Sequence, residues 1–358
     1  MSSVRLPFMS VVVIGYNSAK SIPRALDSIL AQDYPKDSYE IIVVNDGSTD
    51  NMSDVVRSYP TVRLVELPTN KGIAAGRNAG LAVARGDVYV AFDSDCYARP
   101  NWLSQLARGY QLADPIGVSG RLIGVGGSRS ILMRYIEASD SGIAAKKADS
   151  DGPKSLTQRL LGYLTSGLHR GEFDESKDHS EVNELYGANG SFPVAVLRAV
   201  GGWNESAAAP AIGGIEDRDL CFRIRQAYPK GHFYAMHHAL IMHDPTITFK
   251  KYMLRPYRRG PFNYDFHSNN GMMPPIFPFP LLLAVLALFT TAFVPIVALL
   301  ELALLPLGLY WAWVVRAIRE KQWAYLTFPY LQLCEETMVL AGLFRGFLRH
   351  NKDTDAAN

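Results

Sequence analysis

The sequence predicts an α/β fold, a mixed sheet flanked by helices, followed by a C-terminal transmembrane helical hairpin and an amphipathic helix. Short β-branched runs alternate with amphipathic stretches over residues 9–92, the pattern of parallel strands joined by covering helices. Glu301 is the only charged residue across residues 277–315, and roughly 20 apolar residues suffice to cross a bilayer. Residues 323–348 are rich in aromatics yet carry Glu335, Glu336 and Arg345, which suits an interfacial helix better than a third span.

In chain order, the strand candidates are residues 10–14, 40–44, 62–65 and 88–92, and the helix candidates are 21–32, 49–58 and 73–84. In such sheets ligands sit beyond the carboxyl ends of the strands. The loops after Ile14, Val44 and Phe92, which hold the polar residues, should therefore meet at one crevice. Residues 101–243 are less regular, with a glycine-rich piece at 117–127, a charged stretch at 172–184 and an alanine-rich loop at 206–211. The expected domains are 1–100 and 101–270, two halves of one α/β domain, then a membrane region at 271–358. That region should hold helices at about 277–299 and 302–318 and an interfacial helix at about 323–348. Lys250, Lys251, Arg255, Arg258 and Arg259 precede the hairpin, and Arg316, Arg319 and Lys321 follow it. Positive residues on both flanks predict that both lie in the cytoplasm, with the protein a multi-pass component of the cell membrane.

With 358 residues and 48% hydrophobic content the chain has the material for a large core. A net charge of +2 argues against a nucleic-acid partner, whose binders usually carry a strongly basic domain. Cys96, Cys221 and Cys334 are odd in number and form no CxxC pair, which argues against a disulfide framework or a structural zinc site. The first apolar run, residues 11–14, is too short for a signal-peptide core.

Asp93-Ser94-Asp95 falls where a strand should end at the crevice. Two carboxylates one residue apart can hold a hard divalent cation, Mn²⁺ or Mg²⁺, which in turn holds a diphosphate. The same spacing also suits a solvated turn. Together with Val12-Val13-Ile14-Gly15-Tyr16-Asn17, Val43-Val44-Asn45-Asp46-Gly47-Ser48-Thr49-Asp50, and Asn70-Lys71-Gly72 with Arg77-Asn78, this ordered set resembles family 2 glycosyltransferases. The resemblance covers roughly the first 250 residues. It implies that family's GT-A, Rossmann-like fold, a hexosyltransferase-type enzyme, and a nucleotide diphosphate sugar as donor, UDP-linked ahead of GDP-linked.

The resemblance implies that Ile14, Tyr16, Asn17, Asp46, Lys71, Arg77, Asp93 and Ser94 contact the nucleotide sugar. It makes Asp93, Asp95 and His243 candidate metal ligands, and Asp217, beside Glu216, the catalytic base. Physically, Asp46 can accept hydrogen bonds from a base or ribose, or it can cap the helix that begins near Thr49. Gly72 and Gly76 let backbone approach a ligand, and Arg77 either neutralises phosphate or is an exposed helix-face arginine. Glu216-Asp217 opens an apolar helical pattern, as a base or as an acidic first turn favoured by the helix dipole. Gly187 to Phe192 and Gly201 to Glu205 resemble segments that line the sugar and acceptor pocket. Trp203 is either a sugar-stacking ring or a core tryptophan. Arg258 and Arg259 either clamp the departing diphosphate or grip membrane lipids.

Processive members of the family carry Gln-x-x-Arg-Trp near the basic run, whereas residues 254–260 read Leu-Arg-Pro-Tyr-Arg-Arg-Gly. That departure speaks against processive synthesis. The leading expectation is inverting, metal-dependent transfer to a hydroxyl of a lipid-linked or membrane-associated glycan. Direct transfer to polyprenyl phosphate, which needs no base, and an inactive membrane scaffold are the alternatives.

Overall fold

The computed structural model describes residues 6–124, 131–140, 157, 177–185, 187–209, 213–243, 248–275, 277–293 and 295–357. Residues 125–127, 172–176 and 210–211 of the glycine-rich, charged and alanine-rich stretches lie outside the described residues, as do Asp244 and Pro245. The chain divides into two compact units, one of residues 1–127, 141–151 and 173–246, the other of 128–140, 152–172 and 247–358.

In the first unit β1 (Met9–Gly15), β2 (Tyr39–Asn45), β3 (Val62–Glu66) and β4 (Val88–Asp93) run parallel. They are linked by α1 (Ile22–Leu30), α2 (Met52–Arg57) and α3 (Ile73–Val83). Every residue of β1 is buried. Its side chains alternate between two cores: Val11 and Val13 join Ile22, Leu26 and Ile29 of α1, while Val12 and Ile14 join Ala74 and Leu81 of α3. A strand covered on both faces requires a nearly continuous apolar run, and its sequence supplies one.

The remaining elements of this unit are β5 (Cys96–Ala98), α4 (Trp102–Gly109), β6 (Pro115–Gly124), β7 (His179–Val182), β8 (Gly190–Pro193) and α6 (Val194–Ala199). They end with β9 (Ala208–Ala209), β10 (Gly213–Gly214), α7 (Glu216–Ala227) and β11 (His232–His243). The sheet order is β3-β2-β1-β4-β8-β6-β11-β5, with β7 also paired to β11. It turns mixed where β8 runs antiparallel between β4 and β6. β11 then pairs antiparallel with β5, which sets His243 opposite Cys96. The alanine-rich stretch is not wholly loop: Ala208 and Ala209 pair with Gly214 and Gly213, small residues on both sides allowing the short ladder.

The second unit contains α5 (Ile131–Asp140), α8 (Phe249–Asn269), α9 (Pro278–Phe293), α10 (Pro295–Leu309), α11 (Trp311–Arg319) and α12 (Phe328–Ala357). Helix α8, assigned from sequence to the acceptor half, groups here. The expected helices at about 277–299 and 302–318 are displaced, because Pro295 donates no backbone hydrogen bond and starts a new helix instead of continuing α9. Residues Leu299–Leu309 and Trp311–Arg319 meet at 65° and reach the length and apolarity of a membrane span only together. Among the described residues no single helix is long and apolar enough to cross a membrane. The expected interfacial helix opens as a 3-10 turn, Trp323–Thr327, and becomes regular from Phe328, where Pro329 suits a first turn.

Aromatic rings fill the core of this unit: Tyr135, Phe279, Tyr310, Trp313 and Phe328. Their polar atoms are satisfied inside it. Tyr135 Oη donates to Glu335 at 2.6 Å, Tyr310 Oη to Glu336 at 2.7 Å, and Trp313 Nε1 to Gln332 at 2.7 Å. Helices α8 and α12 touch through glycines, since a Cβ on Gly260 would lie 2.1 Å from the carbonyl carbon of Gly342.

Candidate active site

The loops at the carboxyl ends of β1, β2 and β4 are bound to one another, as the sheet pattern predicts. Asn17, at φ 53°, accepts at Oδ1 from the N–H groups of Thr49, at 2.8 Å, and Asp50, at 3.3 Å. Ser94 N donates to the Ile14 carbonyl at 3.2 Å, and Ser94 Oγ meets Ser18 Oγ at 2.8 Å. Tyr16 is exposed, whereas the Ile14 side chain is buried against α3. Gly76 serves that packing too: a Cβ there would lie 3.0 Å from Ile14 Cγ2, so its smallness is spent on β1 and not on a ligand.

Asp46 does not cap the helix that begins near Thr49. Its carboxylate accepts at 2.8 Å from the N–H of Lys71 and at 2.8 Å from that of Gly72, the residue before α3, whose φ of 92° suits glycine. Helix α2 is capped instead by Asp50, which accepts from Met52 N at 3.2 Å. Burial raises the Asp46 carboxyl above its ordinary range, and the two backbone hydrogen bonds oppose the rise. Lys71 itself is exposed beside this loop.

Arg77 is not on an exposed helix face. Its side chain is 2% exposed and pairs at 2.5 Å with Asp217 and at 3.6 Å with Glu216. The guanidinium also lies 5.8 Å from the Trp203 ring. Gly187 closes the same cavity: its N–H donates to Asp217 Oδ2 at 2.9 Å, and a Cβ there would sit 1.9 Å from Arg77 Nη2. Arg77 therefore reads as the counter-ion of the acidic motif, and a phosphate role would have to displace that pairing. Of the two acids, Glu216 is buried and accepts from Gly214 N at 2.8 Å, while the Asp217 side chain keeps 23% exposure. Burial raises the Glu216 carboxyl, and Asp217 raises it further.

At the other side of the crevice His243 Nε2 lies 3.1 Å from Asp95 Oδ2. Cys96 joins them in a set of potential metal-binding groups. Its thiol is buried and held well above the ordinary range by that burial and by Asp93 and Asp95, and its soft sulfur suits a hard cation less well than the oxygen and nitrogen donors beside it. Asp95 and His243 offer the oxygen and nitrogen donors that suit Mn²⁺. Asp93 is outside that tight set, but removal from water pushes its carboxyl up to about 6. Arg77 pulls it down, Asp95 pushes it up, and His243 and Asp217 act more weakly in opposite senses.

Trp203 is a core residue, 2% exposed, with its ring 5.0 Å from that of Tyr89. A sugar cannot stack on it. Asn189 is also internal, accepting from Trp102 Nε1 at 2.7 Å and donating to the Arg121 carbonyl at 3.1 Å. Arg258 and Arg259 are exposed on α8, in the second unit. Sequence reasoning missed Asn78 as a strut: its amide bonds both Trp203 N and Trp203 O at 2.8 Å. Its place next to Arg77 was the one available signal.

Residues 10–171 match the model described as "Glycosyl transferase family 2". Over that stretch the chain is similar to family 2 glycosyltransferases. Glycosyltransferase AglE of Haloferax volcanii is 33% identical over 104 residues, 28% of this chain and 34% of that protein. Succinoglycan biosynthesis protein ExoO of Rhizobium meliloti is 38% identical over 128 residues, 33% of this chain and 36% of that protein. The chain thus spans about a third of the length of these curated relatives. Among solved structures, the mannosyltransferase PcManGT of Pyrobaculum calidifontis, in complex with GDP-Man and Mn²⁺, aligns with a TM-score of 0.54 at 20% identity, covering 96% of this chain and 88% of that one. GalNAc-T7 with UDP, GalNAc and Mn²⁺ gives 0.52 at 15% identity, over 75% and 51%. These likenesses show that the mixed sheet is GT-A-like.

Proposed function

We propose that this glycosyltransferase moves a sugar, with inversion, from a nucleotide diphosphate donor to a hydroxyl of a lipid-linked or membrane-associated glycan. The observation that carries the reading is the pairing of distant motifs, His243 with Asp95 at 3.1 Å and Arg77 with Asp217 at 2.5 Å. These pairings support a single site with a cation-holding side and a base side. Donor complexes of the two solved relatives, one with GDP-Man and one with UDP, support a nucleotide sugar and leave the base to be assigned by experiment.

Asp95 and His243 would hold the divalent cation, with Asp93 beside them. When bound, that ion supplies charge neutralisation for the leaving diphosphate. The acceptor hydroxyl attacks the anomeric carbon as the bond to the diphosphate oxygen breaks, and its proton passes to Asp217. Glu216 is too buried for that task, and Arg77, Gly187 and Trp203 fix the orientation of Asp217. Asp46 holds the entry to α3, so the donor's base or ribose meets a preformed loop. The catalytic unit works on the cytoplasmic face of the cell membrane, as the basic residues on both flanks of the hairpin support.

The test is nucleotide release from a panel of UDP and GDP sugars, with Mn²⁺ or chelator, in the presence of membrane lipid extract. Asp217→Asn should slow turnover by about 10²–10⁴-fold while donor binding persists. Asp95→Asn should abolish metal-dependent turnover. Unchanged turnover in Asp217→Asn would remove the base assignment, and no consumption of any donor would remove the enzyme reading.

A further inference from the structure

We infer that α9 and α10 form a re-entrant hairpin that enters the bilayer and leaves it on the same side, with its tip ending inside the hydrocarbon. Neither α9 nor α10 crosses the hydrocarbon by itself, and Leu299–Leu309 reaches span length only through the 65° bend into Trp311–Arg319. At 16 and 15 residues, α9 and α10 reach about 24 and 22 Å at ~1.5 Å per residue, less than a hydrocarbon core of about 30 Å. Across the junction of the two helices the sequence reads Ala-Phe-Val-Pro-Ile-Val over residues 292–297. A tip that emerged into water would carry turn-forming polar residues, and this one carries none.

The outer surface of the pair is one that water does not tolerate. Leu281, Leu282, Val285, Leu288 and Phe289 of α9 are exposed, and so are Ile296, Leu299, Leu300, Leu302 and Leu304 of α10. Leu288 alone is 76% exposed. Contiguous apolar surface of this kind marks a membrane or protein interface. The one ionisable residue of the pair, Glu301, is held by a neighbouring hydroxyl, Thr290 Oγ1, at 2.8 Å. Pairing across helices is how polar groups are accommodated in hydrocarbon.

The occupant is a lipid bilayer with anionic headgroups. Exposed Lys250, Lys251, Arg258 and Arg259 precede the hairpin and exposed Lys321 follows it, so cationic residues bracket both crossings of the headgroup layer. After the 65° break at Leu309, α11 offers Trp311, Val315 and Ile318 as a further apolar strip, suited to lying along the interface. This placement does not depend on the transferase reading, because a catalytically dead chain would insert equally well.

The experiment uses the full chain in cells, in a Cys334→Ser background because Cys96 and Cys221 are buried and Cys334 is exposed. Thr291→Cys reports the hairpin tip and Trp323→Cys the exit. Membranes are washed with alkaline carbonate, and a membrane-impermeant maleimide is applied to intact spheroplasts and, separately, to inverted vesicles. The chain should stay with the membrane. Trp323→Cys should label from the inner side only, and Thr291→Cys should label at least about tenfold more slowly than Trp323→Cys from either side until detergent is added, since a thiol in hydrocarbon forms little thiolate. Rapid labelling of Thr291→Cys from outside would establish a full crossing and overturn the inference. Rapid labelling from inside, or release by carbonate, would overturn it in favour of an apolar surface covered by protein, including a second copy.

Discussion

The two units bury opposite things. In the first, apolar side chains of β1 fill cores on both faces of the sheet, and the carboxylates gather at strand ends around a crevice. In the second, the apolar residues of α9 and α10 cover the outside while Glu335, Glu336 and Gln332 take hydrogen bonds from rings in the interior. The inferred insertion of α9 and α10 into a bilayer would account for the difference. In water a core collects what water rejects, whereas in lipid the interior is where polar groups find partners.

The largest effect expected from breaking this contrast is at Arg77. Arg77→Ala strands Glu216 and Asp217 without their cation and should cost about 3–5 kcal/mol of stability, read from the denaturant midpoint of the first unit's unfolding. A loss below about 1 kcal/mol would mean that solvent already screens the cluster. Trp203→Ala should cost nearly as much, about 3–5 kcal/mol, because it empties a core site. Trp203→Phe should leave donor KM unchanged, and a raised KM would restore a sugar-contacting role. In the second unit, Glu336→Ala removes the acceptor of Tyr310 and Gln332 and should cost about 1–3 kcal/mol per stranded group, measured in detergent. Smallest is Leu288→Ser, which should alter stability in detergent by no more than about 0.5 kcal/mol yet weaken retention on anionic vesicles. A large loss of folding stability there would place Leu288 in protein contact instead.

The regular part of this architecture was legible because its signals are local. Strand runs and helix stretches over residues 9–92 are each readable within a window of a few residues, and every expected element there is present. The ends of the membrane-region helices were less so, since Pro295 lies within a continuous apolar run and composition alone does not register it. Arg77 shows the deeper limit. Its partner Asp217 is 140 residues away, and nothing in the run Ala-Gly-Arg-Asn states whether the guanidinium points at solvent, phosphate or protein. Trp203 was ambiguous for a related reason, because an aromatic ring suits a core and a sugar face equally. His243 and Asp95, 148 residues apart, were joined in advance only by resemblance, and the antiparallel pairing of β11 with β5 supplies the physical cause.

Helix α3 carries a consequence of its own. Asp46 grips the two N–H groups at its entrance, and Arg77, just over a turn further on, grips Asp217. On the proposed reading, the carboxylate beneath the donor's seat and the carboxylate facing the acceptor are thereby gauged from the same short rod, 11 residues long. A thermal tilt of that rod displaces both in concert, so the spacing between the two reactants fluctuates less than the position of either one.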